Sequence, residues 1–334
     1  MTKLLHIADL DDINQPGGIE AVIRNIVSHY KEDNCTHTIL LRKEIAGFKL
    51  FGKAFPSRNK ILNRVNDLQP DKVLLYGSTP LIWMSILFLK NLKTKIYLTP
   101  FYHDPSFTKS PILSRINWIF LNAAIMRGVK IHFCTHYERK SFYAIKRNSY
   151  EVQMPYFSSL VNNAQKLSRN ILFVGRDDFH KGLDTFYKLA RENSDLNFIA
   201  ISKERKPRIP LKNLTFLSGL SDEELLRNYN DAKILIFPSA YESFGGVLLE
   251  ALSCECMVIA SSMVKGTEYF LNNPNVFIYE HSKSVINNFN SIQNILRDIL
   301  KENKKFTKYL SDQETFNHVQ LSKQNKKLKQ FLSM

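Results

Sequence analysis

The chain has 334 residues, 44% of them hydrophobic, with 12 glycines, 12 prolines, four cysteines and a formal net charge of +15. That balance describes a globular protein long enough for two ordinary domains, and it excludes both a low-complexity polymer and a small disulfide-stapled scaffold. The positive excess points to an anionic partner, leaving phosphate-bearing substrates, an anionic membrane surface and nucleic acid to be separated by motif.

Met1-Thr2-Lys3 runs straight into an apolar strand at 3–8, followed by Asp9, Asp11 and Asp12. No secretory signal is read there. With reduced thiols expected at Cys35, Cys134, Cys254 and Cys256, the protein is placed in the cytoplasm. Gln15-Pro16-Gly17-Gly18 then opens a helix at 19–30. Gly17 and Gly18 offer backbone N–H groups to a phosphate or a sugar, although a diglycine before a helix is more often only a turn. The segment is neither G-x-G-x-x-G nor G-K-[ST], so a dinucleotide fold and a P-loop both lack support.

Strands at 37–41, 72–75, 95–98 and 130–133 alternate with helices at 60–68, 80–90, 111–126 and 136–147. Alternation of this type makes a parallel sheet with helices on both faces. The longest apolar run, residues 81–89, is about half a membrane span and is expected as a buried helix. The strand at 95–98 leads through Thr99-Pro100-Phe101-Tyr102 to His103, near a strand C-terminus where ligands gather. In the next helix Trp118 and Phe120, with Arg127 and Lys130 close behind, suit either an anionic membrane surface or the core of the first domain. Residues 155–169 are polar and rich in Asn and Ser, so a linker is drawn at 156–168, between domains at 1–155 and 169–310.

The second half repeats the scheme, with strands at 171–174, 197–201, 214–216, 234–237, 257–260 and 276–278, and helices at 182–192, 222–229, 245–252 and 284–300. The first strand ends at Gly175, and Arg176 and Lys181 flank the loop that follows. Two cations beside a helix N-terminus suit a diphosphate. The strand at 234–237 is closed by Pro238 and leads to Glu242, Gly245-Gly246 and Glu250. The glycines permit close backbone approach at a helix start. Glu242 is expected in the loop and Glu250 about two turns into the helix. An isolated carboxylate in so apolar a helix needs a partner. Asp9-Leu10-Asp11 and Asp177-Asp178 do not form a convincing metal site, and the cysteine spacing suits no zinc knuckle. No zinc finger or aromatic RNA-binding strand motif is present, so nucleic acid is not expected as a partner. Residues 311–334 are expected as a C-terminal helix packing back on the first domain, with the densest basic run at 323–332.

In order along the chain, Val174-Gly175-Arg176 with Lys181-Gly182, Leu214 to Leu225, and Glu242 with Glu250, seven residues lying between the two, form a specific set. Together with Gly17-Gly18 and His103 it resembles the retaining glycosyltransferases of the GT-B fold, group 1 (family four). The resemblance implies an α/β GT-B architecture, two doubly wound Rossmann-like domains facing a cleft. It implies catalytic roles for His103, Arg176, Lys181 and Glu242, with Arg176 and Lys181 stabilising the leaving diphosphate and Glu242 positioning the donor sugar. It implies a donor-binding set of Gly17, Gly18, Gly175, Leu220, Phe244, Gly245, Gly246, Val247 and Glu250, the last holding ribose hydroxyls. One departure stands out: where the family has a small glycine-rich turn after Ser261-Ser262, this chain has Met263-Val264-Lys265-Gly266.

The expected activity is therefore transfer of a sugar, a hexose first of all, from a UDP- or GDP-sugar. The acceptor is a glycan or lipid-linked saccharide of a bacterial surface polymer such as lipopolysaccharide, O-antigen or capsule. No cofactor and no metal are expected, the nucleotide sugar being a co-substrate. The expected location is the cytoplasm, at the inner face of the cell membrane if the basic surface meets anionic lipid. The alternatives are a non-catalytic glycan- or nucleic-acid-binding protein on the same scaffold, and a sugar phosphorylase or epimerase.

Overall fold

A computed structural model describes residues 2–14, 17–29, 35–50, 52–89, 94–101, 111–126, 128–142, 150–152, 170–176, 180–202, 209–305 and 307. The chain divides into two compact units between residues 157 and 158. The predicted linker at 156–168 and the predicted C-terminal helix at 311–334 lie outside the described residues.

The first unit runs β1 (Thr2–Ala8), α1 (Gly18–His29), β2 (Cys35–Leu40), α2 (Arg42–Ile45), β3 (Ala46–Leu50), β4 (Lys53–Pro56), α3 (Arg58–Leu68), β5 (Lys72–Tyr76), α4 (Pro80–Leu89), β6 (Lys95–Thr99), α5 (Pro111–Ile125), β7 (Lys130–Phe133), α6 (His136–Lys140) and β8 (Tyr150–Val152). Its main sheet is parallel throughout, in the order β2-β1-β5-β6-β7-β8. Leu5 and Ile7 of β1, Val73 and Leu75 of β5, Leu98 of β6 and Ile131 and Phe133 of β7 send one side-chain row into a core shared with α3, α4 and α5. The period of two in these strands is that of a pleated ribbon. On the other row of the sheet His6 is fully buried, its Nδ1 3.0 Å from Tyr76 OH and its Nε2 2.9 Å from His37 Nδ1. Helix α4 is buried along most of its length, as expected for an apolar run too short to span a bilayer. Among the described residues no helix is long and apolar enough to cross a membrane.

Three local features differ from the sequence-based expectation. A hairpin of β3 and β4 stands between β2 and α3 where no strand was predicted. It pairs antiparallel, with Phe48 stacked on Phe55, and Phe48 and Leu50 stay exposed, so no alternation into a core marks it. The predicted helix at 136–147 is described only as α6, five residues capped by Thr135, with Ser141 closing it. The three-residue strand β8 is too short and polar to be read as one.

The second unit runs β9 (Asn170–Val174), α7 (Leu183–Glu192), β10 (Phe198–Ile201), β11 (Leu214–Leu217), α8 (Asp222–Asp231), β12 (Ala232–Phe237), α9 (Gly246–Ser253), β13 (Met257–Ser261), a 3-10 helix (Lys265–Tyr269), β14 (Val276–Tyr279) and α10 (Val285–Lys301). Its sheet is again parallel, in the order β11-β10-β9-β12-β13-β14. The core gathers Ile171 and Phe173 of β9, Ile234 and Ile236 of β12, and Ile259 of β13 under Phe186 and Leu189 of α7 and Ile292 and Leu296 of α10. Helix α8 opens with a reciprocal cap: Glu224 N–H donates to Ser221 Oγ, and Ser221 N–H donates back to the Glu224 carboxylate. The chain winds outward in opposite directions from the neighbouring strands β9 and β12. Sheets of this kind hold ligands beyond the carboxyl ends of the strands at that reversal.

Candidate functional site

The loops leaving β9 and β12 at this reversal carry the cations and the first of the two glutamates. Gly175 extends the ladder of β9 by one bond, its N–H donating to Ile201 O at 3.1 Å, and Arg176 beyond it is exposed. Asp177 and Asp178 lie outside the described residues. The chain returns at His180, whose carbonyl accepts from Ala240 N at 2.6 Å. Gly182 follows with φ +77°, and a methyl group there would sit 2.5 Å from Pro238 O. Only glycine allows both the left-handed backbone and that approach. The segment 180–182 is thereby laid on 238–240, which brings Lys181 Nζ onto the Glu242 carboxylate in an ion pair.

Glu242 is held from three sides. Ser239 Oγ donates to its Oε1 at 3.2 Å. Its own N–H donates to Met263 O, and its carbonyl accepts from Lys265 N. A little further on, Gly266 N donates to Phe244 O. The loops after β12 and β13 thus form a short parallel bridge of their own. Gly245 and Gly266 make this crossing possible. A Cβ on Gly266 would lie 2.3 Å from Phe244 O, and one on Gly245, at φ +90°, would lie 2.8 Å from the Phe237 ring. The departure at 263–266 is therefore resolved by one glycine at the point of closest approach. Glu242 is 9% exposed. A carboxylate so buried is tolerable because it is both paired and hydrogen-bonded.

Glu250 sits in a different field. Helix α9 begins at Gly246, so Glu250 lies one turn into the helix and not two. Its Oε2 accepts from Tyr229 OH at 2.6 Å. Burial raises its pKa above the ordinary carboxylate value, the Tyr229 hydrogen bond draws it back, and the charge of Asp222 adds to the rise. Tyr229, at the end of α8, is fully buried, and its phenol is pushed up by burial first and by Glu250 second. One acid meets an ammonium and the other a phenol, so the two differ in electrostatic character.

Among the other expected site residues, Val247 and Leu220 are half-buried, Val247 in the first turn of α9 and Leu220 one residue before the cap of α8. The Phe244 ring is buried against Tyr269, at 6.1 Å between centroids, and only its backbone serves the crossing loops. Gly17 and Gly18 belong to the first unit, at the start of α1, where Ala21 N donates to Gly17 O and the Glu20 carboxylate folds over Gly17. A methyl group on Gly18 would meet nothing within 4 Å. His103 lies outside the described residues. Ser239 and Tyr229 escaped sequence reasoning. Ser239 had a signal, a hydroxyl three residues before a loop glutamate, whereas nothing in sequence ties Tyr229 to a helix 21 residues further on.

Among the described residues no group of three or more His, Cys, Asp or Glu side chains could hold a metal ion. Asp9 and Asp11 are both taken by Arg42, at 2.5 and 2.7 Å. None of the four cysteines is in a disulfide, and Cys256 Sγ donates to Tyr229 O at 3.1 Å.

Residues 161–313 match the family model for glycosyl transferases group 1. An uncharacterised 41.2 kDa protein in the cps region of Klebsiella pneumoniae is 32% identical over 107 residues, 30% of this chain and 30% of that protein. An uncharacterised glycosyltransferase of Methanocaldococcus jannaschii is 31% identical over 106 residues, 28% of this chain and 27% of its own length. The matched stretches thus span less than a third of either relative. Among solved structures, Anabaena HepE in complex with UDP and glucose superimposes with a TM-score of 0.75 at 13% identity, covering 100% of both chains. That likeness is one of fold.

Proposed function

We propose, on the premise that this chain has the GT-B fold and carries a group 1 glycosyltransferase domain over residues 161–313, that it transfers a sugar with retention from a UDP- or GDP-sugar to a bacterial surface glycan or its lipid-linked precursor. The observation that carries this reading is the buried Lys181–Glu242 pair at the strand reversal of the second sheet. It supplies a cation for a departing diphosphate and an acid for sugar hydroxyls at one point.

In the reaction the bond between the anomeric carbon and the diphosphate oxygen breaks, the electron pair leaves with the diphosphate, and the acceptor oxygen takes its place. Lys181 and the exposed Arg176 stabilise the charge gathering on the leaving group, while the sugar passes through an oxocarbenium-like state. The first-turn N–H groups of α9, opened by Gly245-Gly246 with no acidic side chain in that turn, add a positive dipole end. Glu242 and the adjoining backbone orient the donor sugar, and Glu250 accepts from ribose hydroxyls. The leaving phosphate is itself the base for the acceptor proton, so no protein nucleophile and no metal are needed. The relative in a cps region and the solved neighbour bound to UDP and glucose support a surface polysaccharide and a nucleotide donor. We place the protein in the cytoplasm, at the inner face of the membrane where a lipid-linked acceptor is carried, without nucleic acid as a partner.

The test is release of nucleoside diphosphate from UDP- and GDP-sugars in the presence of extracted lipid-linked saccharide. Arg176→Ala and Glu242→Ala are each expected to lower turnover on the order of a hundredfold or more, the usual loss when a transition-state charge partner is removed. Wild-type rates in both variants would end the proposal.

A further inference from the structure

Helix α5 is apolar on two sides. Its inner side packs Leu121, Ala124 and Ile125 into the core of the first unit, with Trp118 against it. Its outer side should then be polar, as on an ordinary surface helix. Instead it shows Ile112 at 74% exposure, Ile116 at 44%, Ile119 at 58% and Phe120 at 47%, and Met126 follows just past its end at 63%. Spacings of three, four and seven put the first four on one stripe. The charged residue within that stripe is Arg115, also exposed.

Charge along this segment is of one sign. From Pro111 to Lys130 the sequence contains Arg115, Arg127 and Lys130 and no acidic residue. The helix delivers the chain into β7 at Lys130, where a row of lysines lies along the starting edge of the sheet. Lys72 and Lys95 stand opposite each other in the β5–β6 register, and Lys130 pairs two residues further along β6, at Tyr97. Like charges placed directly across a ladder are unfavourable. Burial lowers the pKa of both Lys72 and Lys130, and the Lys95 charge lowers each further.

We propose that the exposed stripe of α5, with the cations at its end, docks this protein on an anionic lipid leaflet. The stripe lies at the boundary of headgroups and acyl chains, and Arg115 and the lysine row meet lipid phosphates. A helix with an apolar outer face and basic flanks is the pattern of an interfacial segment. A second copy of the chain is the competing occupant. Pairing two such stripes would bring Arg115 of each copy together and add the repulsion of two bodies of charge +15. The inference rests on the helix and its charges and not on the donor chemistry, so either can fail without the other.

The experiment is flotation of the full chain with vesicles of phosphatidylcholine, with and without phosphatidylglycerol, at low and high salt, with sedimentation analysis alongside. Two variants accompany the wild type, Ile112→Ser with Ile116→Ser and Ile119→Ser, and Lys95→Gln with Lys130→Gln. Circular dichroism confirms that both are folded. The wild type is expected to float with the anionic vesicles at low salt and to be released by high salt. The isoleucine variant is expected to lose on the order of tenfold or more in partitioning, and the lysine variant roughly fivefold for each cation removed. No flotation at low salt, equal flotation with neutral vesicles, or undiminished flotation of the isoleucine variant would each overturn the inference. So would a wild-type dimer, unretained by vesicles, that the isoleucine variant converts to monomer.

Discussion

The two glutamates show how neighbouring residues of one type acquire different chemistry. Glu242 lies against Lys181 and Ser239, and Glu250 lies against Tyr229. The ribose role proposed for Glu250 needs its carboxylate ionised, which its raised pKa opposes. Donor binding that needs this carboxylate ionised should therefore weaken on acidification at a pH above the ordinary carboxylate range. Tyr229→Phe removes the hydrogen bond that favours the charged form, so the acid limb of UDP affinity, measured by titration calorimetry against pH, is expected to move further up. Affinity well above that limb should fall by about ten- to a hundredfold, the worth of one hydrogen bond to a charged group. A uniform loss at every pH, with the limb unmoved, would show that Tyr229 merely packs.

At the scale of elements, the candidate site depends on how loops cross. The loops after β9, β12 and β13 meet at Gly182, Gly245 and Gly266, each with backbone or ring atoms closer than 3.0 Å to where a Cβ would be. Gly18, at the start of α1, has no such neighbour. Gly266→Ala is expected to cost about 3 kcal/mol or more by urea denaturation, because the neighbour is a backbone carbonyl that cannot turn aside. Gly18→Ala is expected to stay within about 0.5 kcal/mol of wild type. If it nonetheless impairs donor use, the cause is the space a ligand needs and not the fold. Equal stability losses in the two variants would contradict this account. The same elements show what could be read from sequence. The buried parallel strands were legible, since runs such as Ile234-Leu235-Ile236-Phe237 announce burial on both faces. The β3–β4 hairpin was not, because Phe48 and Leu50 stay in solvent and the only pattern they make is with Phe55 across the turn. Of the site, Glu242, Gly245 and Glu250 were legible as a motif. The crossing loops were not, since Lys181 and Glu242 are 61 residues apart and only the fold of Gly182 onto Pro238 joins them.

For the whole molecule, the two units should answer acid separately. Burial first, and the His37 charge second, hold the pKa of His6 in the first unit down to about 3 from 6.5. The folded unit refuses a proton that the unfolded chain accepts. The contribution of His6 is therefore complete above 6.5 and is lost progressively as pH falls toward 3, on the order of 1.4 kcal/mol per unit. Both tryptophans, Trp83 and Trp118, lie in this unit. Urea transitions followed by tryptophan emission should thus shift to lower urea across that window, while a His6→Gln variant shows a flatter dependence. Parallel slopes in wild type and variant would assign the acid sensitivity elsewhere.

Three positions in the second unit cannot accept even a methyl group, and this divides the surroundings of the candidate site into parts that selection can edit and parts it cannot. A library built to change the preferred saccharide should keep Gly182, Gly245 and Gly266 constant and spend its diversity on the half-buried Leu220 and Val247. Clones recovered from randomising the glycines should revert to glycine, and new donor preferences should arise from the two aliphatic neighbours.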